Sequence, residues 1–291
     1  MREITLEQLL EAGCHFGHQV TRSNPKARDF IFEARDGIHI IDLAKTKEGL
    51  EEAGNYLKNL AKRQDANLVI VGTKRQTFEI LTTEIERIKR ETKGESGLFY
   101  VTNKWIGGLL TNFSEVSKNF KKLTDFTHKL ETPAEQEGYT KKEVGMWAKE
   151  KEKLERLYGG VYKLTKNPDA LLIIDSHLED LAVRESLKMN VPTVAIVDTN
   201  ADPALVDYPI PANDDAVGSL QLIISYLLDA WKEGRNSVPE AKPAEAPKAS
   251  LEKPIDRSSE VAKKEVKEAT VKSLPKSSSS KPAKTTKTTK K

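Results

Sequence analysis

Three consecutive residues offer the side chains of a nucleophilic relay. Asp175-Ser176-His177 supplies an acid, a hydroxyl and a base. Neighbouring side chains of an extended segment point to opposite faces, so these three cannot form the single chain of hydrogen bonds that a catalytic triad requires. We therefore expect no catalytic site here.

The segment Gly13–Gln19 contains potential metal ligands, because Cys14, His15 and His18 stand close together. A structural zinc site takes four ligands, and no second cluster of Cys or His follows in the chain. The favoured interpretation is a glycine-jointed loop whose histidines are packed or hydrogen bonded. Three cations follow that could contact phosphate: Arg22, Lys26 and Arg28.

A possible anion site follows the apolar run Leu68–Val71. Gly72-Thr73-Lys74-Arg75 joins this predicted strand to a helix, and a helix N-terminus attracts anions. The loop lacks both the Gly-x-x-x-x-Gly-Lys-Ser/Thr and the Gly-x-Gly-x-x-Gly patterns that cradle nucleotide phosphates. Lys74 and Arg75 could bind the phosphates of an RNA backbone or of a nucleotide. A nucleotide-binding α/β enzyme with its site at the Gly72 loop is therefore one hypothesis.

Four aspartates gather near predicted strand ends: Asp198, Asp202, Asp214 and Asp215. Magnesium could bind near Asp198 and Asp202 through one or two carboxylates and water. Helix capping and turn formation are the alternative explanation, and we predict that Asp214 caps the last helix. We expect no other cofactor.

Alternating strands and helices must position these groups. Short strands flank Asp36-Gly37, a dipeptide typical of hairpins, and Asp42 caps a helix that reaches roughly Arg63. The alternation predicts a parallel sheet with helices on both faces. Its other elements are strands at Leu98–Thr102, Ala170–Asp175 and Val191–Asp198, a short extended piece at Tyr208–Pro211, and helices that include Leu178–Met189.

The stretch Asn103–Phe113 interrupts the sheet. Gly107-Gly108 allows the backbone to bend, with Lys104 and Trp105 beside it. An apolar stripe then predicts one helix (Phe113, Val116, Phe120, Leu123, Phe126, Leu130), and a second stripe predicts another from about Thr140 to Leu164. Two matched helices joined by a short connection indicate an inserted antiparallel coiled-coil helical hairpin.

The charge is divided unevenly along the 291 residues. Residues 235–291 hold 15 Lys/Arg and 7 Asp/Glu, a net charge of +8, whereas residues 1–234 carry 32 against 37, a net of −5. The predicted domains are an α/β sheet domain (1–104 and 165–234), the hairpin (105–164) and a disordered tail rich in Lys, Ala, Pro, Ser and Thr (235–291). The single cysteine, the acidic start and the absence of an apolar run of about 18 residues predict a cytoplasmic protein that does not span a membrane.

Seven blocks of sequence together resemble one family, the bacterial small-subunit ribosomal protein two. They are Gly13–Gln19, Asn24–Lys26, Gly72–Arg75, Trp105–Asn112, Pro168–Ala170, Ile196–Pro203 and Ile210–Ala216. The resemblance covers residues 1 to about 234. It implies a flavodoxin-like α/β fold and a structural constituent of the small ribosomal subunit without catalytic activity.

The resemblance also implies partners. Such a protein would bind small-subunit rRNA near the head-body junction as a monomer, beside neighbouring proteins, and would help to hold the OB-fold ribosomal protein one, which captures messenger RNA. The resemblance implies RNA contacts at seven residues: Arg22, Lys26, Arg28, Lys74, Arg75, Lys104 and Trp105. Family members often have arginine where Lys104 stands, and lysine lacks the planar fork of arginine. A third hypothesis is a helical-hairpin adaptor that binds only protein.

Overall fold

A computed structural model describes residues 2–92 and 96–237. The predicted tail lies outside the described residues from position 238 onward. The chain begins with helix α1 (Leu6–Glu11), where Thr5 and Gln8 form the expected capping box by exchanging side-chain and backbone hydrogen bonds. No helix of the described part combines the length and apolar character that crossing a bilayer requires.

A three-stranded antiparallel sheet follows α1. Its order is β1 (Phe16–Gln19), β3 (Ile38–Ile41) and β2 (Ile31–Arg35). The hairpin at Asp36-Gly37 is confirmed, and both residues have positive φ, as the tight turn requires. The loop prediction for Gly13–Gln19 was wrong at its second half, because Phe16 pairs with Ile40 and the segment becomes a strand.

A second sheet of five parallel strands forms the centre of the protein. Its spatial order is β5 (Leu98–Val101), β4 (Leu68–Val71), β6 (Ala170–Ile173), β7 (Thr193–Val197) and β8 (Tyr208–Pro211). Renumbered within this sheet alone, the order is 2-1-3-4-5, which is the flavodoxin-like arrangement. The predicted α/β class is therefore confirmed.

Helices cover both faces of this sheet because successive side chains of each strand alternate between them. On one face, Ile70 and Leu172 pack with α2 (Leu43–Ala61), α3 (Arg75–Glu91) and α8 (Val217–Asn236). On the other, Val71 and Ile173 pack with Trp105 and with α7 (Asp180–Met189). The joint at Asn103–Phe113 thus belongs to the core of the sheet's second face.

Two long helices form an antiparallel hairpin inserted between β5 and β6. They are α4 (Phe113–Glu131) and α6 (Lys141–Tyr158), with the one-turn helix α5 (Pro133–Gln136) between them. Phe120 makes an edge contact with Tyr158 at one end, and Lys129 lies 5.4 Å from the Trp147 ring centroid at the other. The predicted second helix was too long, because a turn at Gly159-Gly160 ends it and returns the chain to the sheet.

The turn after α6 touches the edge strand β5. The Tyr100 amide donates to the Gly160 carbonyl at 3.1 Å, and a Cβ at Gly160 would lie 2.1 Å from the Tyr100 carbonyl oxygen. This approach is possible only without a side chain.

We expect Gly160→Ala to lower the free energy of unfolding by about 1–3 kcal/mol, since the added methyl forces the two backbones apart. Gly145→Ala is the matched control, because a Cβ at this exposed position of α6 meets nothing within 4 Å. It should stabilise the protein by up to about 1 kcal/mol through helix propensity. Urea denaturation of both variants tests the pair, and equal effects would contradict the packing argument.

Candidate functional site

Lys74 lies at the point where the strand order reverses, outside the carboxyl ends of β4 and β6. Open α/β sheets bind ligands in this crevice. Here the ammonium contacts three carboxylates of the chain itself: Asp175 at 2.9 Å, Asp214 at 2.8 Å and Asp215 at 2.8 Å. Lys74 therefore neutralises acidic side chains within the crevice, and phosphate would have to compete with all three.

The two buried carboxylates of this cluster have opposite pKa shifts. Burial, together with the charges of Asp175 and Asp198, raises the pKa of Asp214 to about 7. Burial also acts to raise the pKa of Asp175, but the Leu178 amide and the Lys74 ammonium outweigh it, so that this pKa is lowered. Burial likewise opposes the charge of Lys74, yet its hydrogen bonds to aspartates raise the pKa of its ammonium. Asp175 thus carries the firmly ionised charge, whereas Asp214 is the readily protonated partner.

His18, on β1, adjoins the same cluster. Its Nδ1 lies 3.1 Å from Asp198 Oδ2, and its Nε2 lies 3.8 Å from Asp215 Oδ2. Hydrogen bonding to Asp198 raises the pKa of His18 despite partial burial. The His18 amide also donates to Thr199 Oγ1 at 2.9 Å, which ties β1 to the end of β7.

Three of these side chains could hold one divalent cation. His18, Asp198 and Asp214 each offer a ligand atom, and these atoms lie within 4.8 Å of one another. One imidazole and two carboxylates form a donor set suited to zinc, whereas magnesium prefers oxygen alone. Neither Cys14, which is buried, nor His15 belongs to this group. Asp202, which was predicted to hold magnesium with Asp198, contacts Lys26, and the magnesium site stays a prediction.

The raised pKa values of Asp214 and His18 predict a pH-dependent stability. Between its unfolded pKa of 3.8 and its folded pKa of about 7, Asp214 holds a proton that the unfolded chain has released. Above pH 6.5, His18 of the folded protein likewise holds a proton that the unfolded chain has released. The free energy of unfolding should therefore fall as pH rises from about 5 to 8, by up to about 1.4 kcal/mol per pH unit for each proton involved.

Urea denaturation at both ends of this range, with EDTA present, measures that dependence. Asp214→Asn should show a weaker loss of stability with rising pH. Comparing this variant with the wild-type protein separates the contribution of Asp214 from that of other groups. Burial lowers the pKa of His15, for example, so that His15 makes stability rise with pH. A variant that kept the full dependence would refute the assignment to Asp214.

The predicted RNA contacts Arg22, Lys26 and Arg28 are exposed on two short 3₁₀ helices, Val20–Arg22 and Pro25–Phe30. The chain between these helices is fixed to the end of β7 by the Asn24 amide, which donates to the Thr199 carbonyl at 2.7 Å. Lys26 pairs with Asp202 at 2.5 Å. Arg22 and Arg28 form no ion pair among the described residues.

The remaining predicted contacts divide between surface and interior. Arg75 is exposed at the start of α3 and Lys104 is exposed after β5; neither forms an ion pair within the described segments. Lys74 is largely covered by its aspartates. Trp105 is only 4% exposed and packs in the second core, where its indole N–H donates to Glu185 Oε1 at 3.4 Å. The structure therefore gives Trp105 an interior structural contact.

Glu185 organises the joint before the helical hairpin, a role that was not predicted from the sequence. Its buried carboxylate accepts hydrogen bonds from the Gly108 amide at 2.6 Å and the Leu110 amide at 3.2 Å. Longer bonds come from the amide and hydroxyl of Thr111. The sequence does contain a signal for this role. Glu185 lies three residues after Ala182, which puts a charged residue on the apolar face of α7.

Asp175 serves as a turn residue rather than as part of a relay. Its Oδ1 accepts hydrogen bonds from the amides of His177 and Leu178. Ser176 Oγ is buried and has no hydrogen-bond partner among the described residues. The hydroxyl and the acid are therefore not connected, in agreement with the geometric argument against a triad.

The strand order and its crevice define a flavodoxin-like α/β protein. The chain matches the family model described as "Ribosomal protein S2" over residues 9–234. It is 43% identical to the small ribosomal subunit protein uS2 of Corynebacterium jeikeium, in an alignment covering 86% of this chain and 87% of the relative. The uS2 protein of Corynebacterium kroppenstedtii is 41% identical, with 91% and 90% covered.

The chain belongs to the ribosomal protein S2 family. It is therefore a structural protein of the small ribosomal subunit with a role in translation, and not an enzyme. The hypothesis of a nucleotide-using enzyme at the Gly72 loop was wrong. The physical reason lies in the crevice, where Lys74 already holds three carboxylates.

Proposed function

We propose that the chain binds small-subunit rRNA through exposed cations at the loop ends of its α/β body. The observation that supports this most directly is that four of these cations form no ion pair with the rest of the described chain. Arg22, Arg28, Arg75 and Lys104 are exposed and have no carboxylate partner among the described residues. Unpaired cations can contact phosphate without first breaking an internal ion pair.

Lys26 has an intermediate role. Its ion pair with Asp202 is exposed on the lysine side and stabilises the protein only weakly. Lys26 can therefore turn towards a phosphate at small cost. Lys74 and Trp105 act indirectly, because they fix the crevice and the joint from which Arg75 and Lys104 project.

We further propose a cytoplasmic location within the ribosome, near the head-body junction of the small subunit. There the chain would contact neighbouring ribosomal proteins and help to dock the OB-fold protein one that binds messenger RNA. The helical hairpin supplies a long surface for such contacts, since its outer faces are exposed and rich in charge. A cation in the His18–Asp198–Asp214 group would brace β1 against the sheet.

Sedimentation of the full chain with small subunits that lack it tests rRNA binding. Replacing Arg22, Arg28, Arg75 and Lys104 by alanine should weaken incorporation at least tenfold at moderate salt. The slope of log affinity against log salt should become shallower by about 3, because fewer counterions are released. The control replaces four exposed cations elsewhere: Arg2, Lys62, Arg90 and Lys188.

Equal effects of the two sets would indicate that net charge alone matters, against the proposed contacts. The protein-only adaptor predicts a different result. Its incorporation would persist at high salt and would not depend on the four loop cations.

A further inference from the structure

A pocket that contains two cations and no acid lies beside the edge strand β5. Its volume is about 490 Å³, within the range of small-ligand sites. Lys89, in the last turn of α3, and Lys163, after the turn that ends α6, line it together with Tyr100 and Tyr162. No Asp or Glu of the described chain belongs to this lining. Since residues 1–234 carry a net charge of −5, the pocket is a local positive site on an acidic body.

The two lysines of the pocket are not neutralised within the described chain. Neither Lys89 nor Lys163 forms a hydrogen bond or an ion pair there. By contrast, Lys166, three residues further along, pairs with Asp65 at 2.9 Å. Partial burial lowers the pKa of Lys89, and the charge of Lys163 lowers it further, although Glu86 opposes this. Two neighbouring like charges destabilise each other, and an anion placed between them would remove that cost.

Two tyrosine rings give the pocket aromatic surface next to these charges. The Lys89 ammonium lies 5.7 Å from the Tyr100 ring centroid, and the Lys163 ammonium lies 5.6 Å from the Tyr162 ring centroid. Tyr162 is 36% exposed, so that a planar group can stack on its ring. Proteins bind single-stranded nucleic acid through this combination, with cations for the backbone and aromatic rings on which bases stack.

The pocket is remote from the loop cations proposed above. Asn67 and Ser96, which precede β4 and β5, also line it, whereas Lys104 follows the other end of β5. Arg75 and Lys89 are fourteen residues apart on α3, which corresponds to about 21 Å along the helix. A single nucleotide cannot span this distance. The pocket therefore belongs to a separate surface, at the amino ends of the strands.

We propose that this pocket binds one nucleotide of single-stranded rRNA, with its phosphate between Lys89 and Lys163 and its base stacked on Tyr162. An acidic peptide would also neutralise the lysines, but a carboxylate side chain has no flat face to cover the tyrosine ring. Every base has such a face, so the site has little base preference. The inference rests on the proposed rRNA binding and adds a second contact surface to it.

Hydroxyl-radical footprinting of small subunits assembled with the full chain tests the proposal. The wild-type chain should protect one segment of the rRNA backbone through the pocket. Lys89→Gln/Lys163→Gln should lower that protection at least about fivefold, because two phosphate contacts are lost, and should leave the other protected segments unchanged. Lys62→Gln/Lys188→Gln, which neutralises two exposed lysines elsewhere, is the matched control and should retain the protection.

Substitutions of Tyr162 test the stacked base and identify the partner. Tyr162→Ala should weaken protection of the same backbone segment, whereas Tyr162→Phe should retain it, because phenylalanine also offers a ring for stacking. With the photo-crosslinker benzoylphenylalanine in place of Tyr162, irradiation should join the chain to rRNA. A cross-link to another protein alone would overturn the RNA assignment of the pocket.

The outcomes separate this proposal from rRNA binding at the loop ends. Normal incorporation of Lys89→Gln/Lys163→Gln with an unchanged footprint would overturn the pocket and leave the loop contacts standing. Equal losses with the control pair would attribute the effect to net charge and overturn the pocket as well. Failure of the wild-type chain to incorporate would overturn both. The free protein is also titrated with inorganic phosphate and with AMP, and saturable binding of either without a pocket-dependent footprint would assign the pocket to a small anion and overturn the RNA contact.

Discussion

Lys74→Met is expected to lower the free energy of unfolding by about 3–5 kcal/mol, the usual range when one member of a buried ion cluster is removed. The substitution leaves Asp175 and Asp214 buried without their shared cation, since their side chains are only 7% and 1% exposed. Urea denaturation at pH 8 with EDTA measures the effect. At this pH more of Asp214 is ionised, so that the loss should be larger than at pH 5.5.

A surface lysine provides the control for Lys74. Lys47 lies 3.8 Å from Glu51 on α2, and Lys47→Met should change the free energy of unfolding by less than about 0.5 kcal/mol. Adding Asp214→Asn to Lys74→Met should recover part of the loss because it removes a buried charge. If Lys74→Met cost no more than the Lys47 variant, the cluster would not stabilise the fold.

Glu185→Ala is expected to lower the free energy of unfolding by about 3 kcal/mol. The alanine leaves the partly buried amide of Gly108 and the buried amide of Leu110 without acceptors, and each unsatisfied buried group costs about 1–3 kcal/mol. The indole N–H of Trp105 loses its acceptor as well. Urea denaturation followed by tryptophan fluorescence reports the loss.

Glu185→Gln separates charge from hydrogen bonding. Its single carbonyl oxygen can serve only part of the set of donors, so we expect an intermediate loss. Glu150→Ala, at an exposed position of α6, is the matched control and should be nearly neutral. A Glu185→Ala variant as stable as this control would show that water replaces the carboxylate.

The fold followed from the sequence because local patterns determine its elements. Apolar runs such as Leu68–Val71 and the stripes of α4 and α6 identify strands and helices without long-range information. The ends of a helix, in contrast, depend on which particular side chain forms the capping hydrogen bonds. Asp214 was wrongly predicted to cap α8, because its carboxylate contacts Lys74 and the side chain of Asn213 instead accepts the Asp215 and Ala216 amides.

The site was less predictable because its pairs are distant in sequence. Lys74 and Asp214 are separated by 140 residues, and no local pattern shows that they meet. His18 and Asp198 were each recognised as potential ligands, but in separate groups. RNA contact was assigned to Trp105 from the family resemblance alone, and the large apolar ring of Trp105 packs against the sheet.

The last strand of the parallel sheet bears on how copies of the chain avoid pairing with one another. The Ala212 amide donates a hydrogen bond to the Val197 carbonyl of β7. The backbone nitrogens of residues 209 and 211 therefore point away from β7, and both residues are prolines, Pro209 and Pro211. The outer edge of β8 therefore has no main-chain N–H at either position, and the Thr46 hydroxyl donates a hydrogen bond to the Pro211 carbonyl. A newly made copy therefore offers a poor template for another strand, which protects unassembled chains from self-association.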